Sequence, residues 1–93
     1  MPSYFVYILE CVDQKHKKSY YTGYTQDLNK RFQLHCEGKG AKYTKGKKIS
    51  IKYTEVFTSR SEAVEREIEI KKLTKKKKKE LIQCGERTDF VEP

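Results

Sequence analysis

The chain has 93 residues, with 21 lysines and arginines against 13 aspartates and glutamates and a formal net charge of +8. That length allows one domain with one modest core. With 37% charged residues, apolar surface is scarce and the aromatic residues must supply much of the packing. No apolar run approaches the roughly 20 residues that span a bilayer. The start, Met1-Pro2-Ser3-Tyr4, lacks the basic-then-apolar layout of a secretory signal. A soluble, cytoplasmic protein without membrane association is expected. The positive charge lies in the range of nucleic-acid binders, and a solvated lysine surface is the plainer account of it. The cysteines Cys11, Cys36 and Cys84 are odd in number, widely spaced and free of any C-x-x-C pair. That argues against a structural zinc site and for small buried or half-buried hydrophobes in a reducing compartment.

Tyr4-Phe5-Val6-Tyr7-Ile8-Leu9 is apolar at odd and even positions alike, the pattern of a strand buried on both faces and so central in its sheet. Asp13 to Ser19 forms a polar turn, after which Tyr20 to Thr25 returns as an antiparallel second strand. Gly23 interrupts that strand and lets another backbone or a ligand come close. Thr25 is placed to cap a helix over about Gln26 to Cys36, stopped by Gly38. Leu28, Arg31, Phe32 and His35, at i, i+3, i+4 and i+7, share one stripe of that helix. An arginine and a histidine one turn apart on an otherwise apolar stripe point to a functional site. The plainer reading has Arg31 snorkelling over the core edge and His35 in a structural hydrogen bond. Cys36 next to His35 does not make a nucleophilic pair, because adjacent helical residues do not face each other.

Glu37 to Lys48 holds three glycines and five lysines around Tyr43 and reads as a flexible basic loop. Lys39, Lys42 and Lys45 are candidates for phosphate contacts, and Tyr43 is a candidate for stacking on a base. Ile49 to Phe57 is the third strand, with Ile51, Tyr53 and Phe57 expected on one side. Thr58-Ser59-Arg60-Ser61 then caps a second helix, in which Ala63, Val64, Ile68 and Ile70 span one arc. Glu67 falls inside that arc. A carboxylate there needs a cation or a strong donor; Lys71 at i+4 and a metal ion are the two candidates. Thr74 caps a third helix that opens on the run Lys75 to Lys79 and is expected to end near Cys84, before Gly85. The domain is therefore drawn at 1–85, with 86–93 as a poorly ordered tail. There is no internal repeat and no Walker or Rossmann glycine pattern.

Phe5-Val6-Tyr7, followed by Tyr21-Thr22-Gly23, Asp27-Leu28, Arg31, His35 and Glu67, resembles the GIY-YIG endonuclease family, in particular its small stand-alone bacterial members of the YhbQ/YazA type. The likeness runs over about residues 4–83 and takes in the Gly38-to-Thr44 loop and the Glu67-to-Leu73 segment. Phe5 stands where the first motif has glycine and Thr22 where the second has isoleucine, while Tyr7, Tyr21 and Gly23 are kept.

The resemblance implies an α+β fold, a small three-stranded antiparallel sheet flanked by helices in the order ββαβαα. It also implies a divalent-metal-dependent endonuclease that hydrolyses phosphodiester bonds in DNA, in repair or processing, and a monomer is expected. In that scheme Glu67 holds Mg²⁺ or Mn²⁺, and Arg31 clamps a non-bridging oxygen. Tyr7 serves as general base with Tyr21 sharing its hydrogen bond, and His35 orients a tyrosine or relays its proton. Gly23, Lys39, Lys42, Tyr43 and Lys45 form the nucleic-acid-binding set. A tyrosine with an ordinary pKa of about 10 is a poor base, so neighbouring cations are expected to depress it. Which tyrosine takes the proton stays open. Two other readings remain: a nucleic-acid-binding module with the nuclease fold but little cleavage, and a basic protein that docks on an acidic partner.

Overall fold

A computed structural model describes residues 3–91, and side chains through residue 84. The elements follow in the order β1 (Tyr4–Val12), β2 (Lys18–Thr25), α1 (Leu28–Cys36), β3 (Lys48–Phe57), α2 (Arg60–Lys71) and α3 (Lys75–Val91). The fold is α+β. Its antiparallel sheet runs β2-β1-β3, so the doubly apolar first strand is the central one.

Alternation along β1 divides the core in two. Val6 and Ile8 face α2 and α3, packing with Ala63, Ile70 and Ile82. Tyr7, Leu9 and Cys11 face the other way, toward Leu28 and Phe32 of α1. Ile51 and Tyr53 do not share a side as expected, because Ile8 pairs with Tyr53 but Leu9 pairs with Ile51, leaving Lys52 as an extra residue. That bulge turns Ile49 and Ile51 toward α1 while Tyr53 and Phe57 stay with α2 and α3.

Two helix boundaries differ from expectation. Asp27, not Thr25, caps α1, its carboxylate accepting the Lys30 N–H at 3.0 Å. Thr25 instead accepts the Asp27 N–H at 3.2 Å, bracing the cap one step upstream. Thr74 does cap α3, accepting the Lys77 N–H at 3.2 Å, but the helix passes through Gly85 to Val91. A single glycine costs a helix only about 1 kcal/mol and need not end it. Of the drawn tail, 92–93 lie outside the described residues. The cysteines are corrected too, since Cys11 is buried while Cys36 and Cys84 are exposed.

Helix α2 shifts its buried face by about one residue. Ala63 and Ile70 are fully buried, with Glu67 half-buried between them on the same stripe, whereas Ile68 is exposed. The helix is clamped to β3 by Arg66, whose Nε and Nη2 donate to the two Glu55 oxygens at 2.9 Å and 3.0 Å. Tyr53 donates to the same carboxylate. Burial pushes the Glu55 carboxyl up, but the Arg66 and Tyr53 hydrogen bonds and the Arg66 charge outweigh it and hold it below the usual range.

Candidate nuclease site

The site is built where β1 passes the missing side chain of β2. Tyr7 pairs with Gly23 across the two strands. A Cβ on Gly23 would sit 2.5 Å from the Tyr7 Oη and 2.7 Å from its Cζ. The close approach that the glycine permits is therefore that of the Tyr7 ring, which lies over the β2 backbone. From there the hydroxyl meets α1: Tyr7 Oη and His35 Nε2 are 3.0 Å apart, with both residues almost fully buried.

His35 is held from its other side by the loop after α1. The N–H groups of Lys39 and Gly40 both donate to the Leu34 carbonyl, at 2.8 Å and 3.1 Å, folding the chain back over the helix end. A Cβ on Gly40 would lie 2.5 Å from His35 Nδ1, so only glycine lets the backbone wall the imidazole this closely. Thr44, fully buried, places its Oγ1 2.9 Å from His35 Nδ1. The loop is thus anchored rather than loose at Gly40 and Thr44. It is a part of the site that composition could not reveal.

Aromatic packing continues outward. Tyr21 meets His35 edge-on with centroids 5.3 Å apart and stacks on Tyr43 at 5.9 Å. Tyr43 is 42% exposed and carries the Lys47 ammonium 3.8 Å from its ring centre. Its stacking partner in the structure is Tyr21. Lys39, Lys42 and Lys45 are exposed on the same loop, away from the buried hydrogen bonds. A groove of about 180 Å³ sets Tyr43 beside Lys75 and Lys78, so the lysines of α3 extend the basic surface.

Arg31 lies half-buried one turn before His35. Its guanidinium is close enough to Tyr7 to favour the phenolate. Its Nε is buried without a hydrogen-bond partner, and among the described residues it forms no ion pair. It also lines a groove of about 450 Å³ with Tyr4, Tyr24, Gln26 and Arg60. Arg60 was not singled out in the sequence; its Nε donates to the Tyr24 hydroxyl at 3.2 Å.

Glu67 lies on α2, which packs against β1 and β2, and its charge acts on Tyr7. Its side chain is 15% exposed, and its ion pair is with Lys71 at 3.7 Å, the i+4 partner. Burial is the main reason the Tyr7 pKa is pushed up to about 12, with the Tyr21 and Glu67 charges adding and Arg31 opposing. Desolvation thus outweighs the nearby cation, contrary to the expected depression. Burial and then the Arg31 charge lower the His35 pKa, keeping its imidazole neutral.

Among the described residues no three His, Cys, Asp or Glu side chains converge into a metal cage. The Glu67 carboxylate is largely shielded from solvent, and a single carboxylate is a donor that a hard divalent ion keeping most of its waters and sharing substrate phosphates can use. The chemistry of Glu67 is compatible with such an ion.

The GIY-YIG catalytic domain matches residues 3–80, and the chain belongs to that family. It is similar to a UPF0213 protein of Staphylococcus epidermidis, 46% identical over 86 residues, covering 91% of this chain and 100% of the relative. A UPF0213 protein of Staphylococcus aureus is 46% identical over 84 residues, covering 89% and 98%. The solution NMR structure of a UPF0213 protein from Bacillus halodurans is 38% identical, with a TM-score of 0.52 over 88% of this chain and 84% of that one. The chain thus aligns with these small staphylococcal relatives along nearly their whole length. No described helix is long and apolar enough to cross a membrane.

Proposed function

We propose that the protein is a divalent-metal-dependent endonuclease acting on DNA, in repair or processing, and that it works as a monomeric domain. The observation that carries this reading is Arg31, a half-buried cation beside Tyr7 with no carboxylate partner among the described residues. A half-buried guanidinium with an unpartnered Nε is costly unless an anion completes it, and its planar fork suits a phosphodiester.

Each residue then has a task. Arg31 grips a non-bridging phosphoryl oxygen, and the groove shared with Arg60 receives the adjoining strand. Lys39, Lys42 and Lys45 neutralise phosphates further out, and Tyr43 with Tyr21 offers an aromatic edge to a base. Glu67 holds Mg²⁺ or Mn²⁺, which when bound supplies charge neutralisation at the phosphoryl and leaving oxygens. Tyr7 accepts the proton of the attacking water. With its pKa pushed up to about 12 it does so as a phenol rather than a phenolate, and it needs an outlet for its own proton. His35, 3.0 Å away and neutral, is that outlet. Tyr21 packs against His35 and keeps the ring in place.

A second reading draws on one observation. Lys71 already neutralises Glu67, which suits a nucleic-acid-binding module that cleaves little. A screen of single-stranded, duplex and branched DNA and RNA, with Mg²⁺ or Mn²⁺, separates the two. Metal-dependent cleavage of a DNA substrate supports the enzyme; binding without cleavage on every substrate supports the module.

A further inference from the structure

We infer that Thr44 is a positioning residue that holds His35 in the tautomer protonated on Nδ1, so that Tyr7 donates its phenolic proton to Nε2. The argument is a count of hydrogens along a buried chain. The Thr44 hydroxyl donates to the Ala41 carbonyl at 3.1 Å, and a carbonyl oxygen can only accept. That uses the single proton of the hydroxyl. Thr44 Oγ1 therefore faces His35 Nδ1, 2.9 Å away, as an acceptor, and the imidazole must carry its proton there. A neutral imidazole has one N–H, which leaves a lone pair on Nε2. Tyr7, 3.0 Å away, then has to be the donor.

The loop keeps this geometry in place. The Lys39 and Gly40 N–H groups are tied to the Leu34 carbonyl, and the Gly40 backbone lies against the imidazole, so the ring has no room to turn away from Thr44. Both Thr44 and His35 are essentially fully buried, so water does not compete for either nitrogen.

The catalytic consequence rests on the nuclease reading; the tautomer does not. As the attacking water gives a proton to Tyr7 Oη, the phenol gives its own to His35 Nε2. The water oxygen bonds to phosphorus, and the bond from phosphorus to the leaving sugar oxygen breaks. The electron pair stays on that oxygen, which takes a proton from bulk water, and the imidazolium later returns its extra proton to solvent. With the opposite tautomer, Nε2–H would point at Tyr7 and could accept nothing.

The test is a long-range ¹H–¹⁵N correlation spectrum of the His35 ring at neutral pH in wild type, Thr44→Val and Thr44→Ser, with cleavage rates measured on the same samples. The wild type is expected to show protonated Nδ1 and bare Nε2. Thr44→Val moves the proton wholly or partly to Nε2 and lowers kcat on the order of 100-fold with KM little changed. Thr44→Ser restores both. A wild-type ring protonated on Nε2 overturns the inference whether or not the protein cleaves. So does a Thr44→Val ring that keeps the wild-type pattern. If Thr44→Val fails to fold, the wild-type and Thr44→Ser spectra still decide. Protonated Nδ1 in both, in a protein that cuts no substrate, supports the tautomer and counts against the nuclease reading alone.

Discussion

The hydroxyl of Tyr7 and Nε2 of His35 lie 3.0 Å apart, joining the central strand to the first helix across 28 residues of sequence. Removing only the oxygen tests what that contact does. Tyr7→Phe keeps the ring over Gly23 and should cost about 1–3 kcal/mol of stability, because it leaves the buried His35 Nε2 without a partner. Its cleavage rate should fall on the order of 100-fold or more. Urea denaturation paired with a cleavage assay reads both quantities. A stable Tyr7→Phe that cleaves like wild type would remove Tyr7 from the chemistry.

His35 gives a pH dependence with a definite sign. Burial and the Arg31 charge lower its folded pKa, while the unfolded chain titrates at about 6.5. Below that pH the unfolded state binds a proton the folded state refuses, so stability falls as pH drops until the folded pKa is passed. Denaturation midpoints at pH 7.5 and 5.5 should show that loss in wild type. In His35→Asn the difference between the two pH values should be smaller. Equal losses in the two proteins would mean His35 does not resist protonation.

Gly23→Ala should be disruptive for a specific reason. The new Cβ would lie 2.5 Å from the Tyr7 Oη, and the ring is buried and cannot swing aside freely. A cost of about 1–3 kcal/mol is expected, with loss of cleavage. In a Tyr7→Ala background the same substitution should cost much less, and a double-mutant cycle measures that difference. No coupling between the two sites would put the penalty on the β2 backbone instead.

Much of this fold was legible from the residue pattern. The doubly apolar run at Val6 to Leu9 marked the central strand, and the Leu28, Arg31, Phe32, His35 spacing brought the arginine and histidine to one face. What was hidden depends on contacts that local pattern does not encode. Lys52 looks like any exposed strand lysine, yet it is the extra residue that turns Ile51 and Tyr53 to opposite faces. Thr44 sits among lysines and glycines that suggest looseness, and its role appears only when the chain folds back on His35. The Glu55–Arg66 pair joins residues 11 apart on different elements. Tyr7 was expected to be acidified by cations, but how completely a side chain is desolvated is a tertiary property, and here it prevails over the charge of Arg31.

Thr22 carries a smaller, structural prediction. Its Oγ1 is buried without a hydrogen-bond partner, at the position where the family motif has isoleucine. Thr22→Val keeps the shape and removes the stranded hydroxyl, so it should raise stability by about 1 kcal/mol. A destabilised variant, measured by urea denaturation, would mean the hydroxyl is satisfied in solution.

The central claim is that Glu67 serves a metal-dependent reaction rather than the Lys71 ion pair alone, and Glu67→Gln tests it most directly. Thermal melts of wild type and variant, each with and without Mn²⁺, are read beside cleavage of the preferred DNA substrate. A carboxylate kept for a cation is destabilising by itself, so the metal-free variant should match or slightly exceed wild type, by about 0–1 kcal/mol. Mn²⁺ should raise the wild-type Tm by mass action and leave the variant where it was, and cleavage should vanish with the carboxylate. Identical responses to Mn²⁺, or cleavage that survives in Glu67→Gln, would contradict the account.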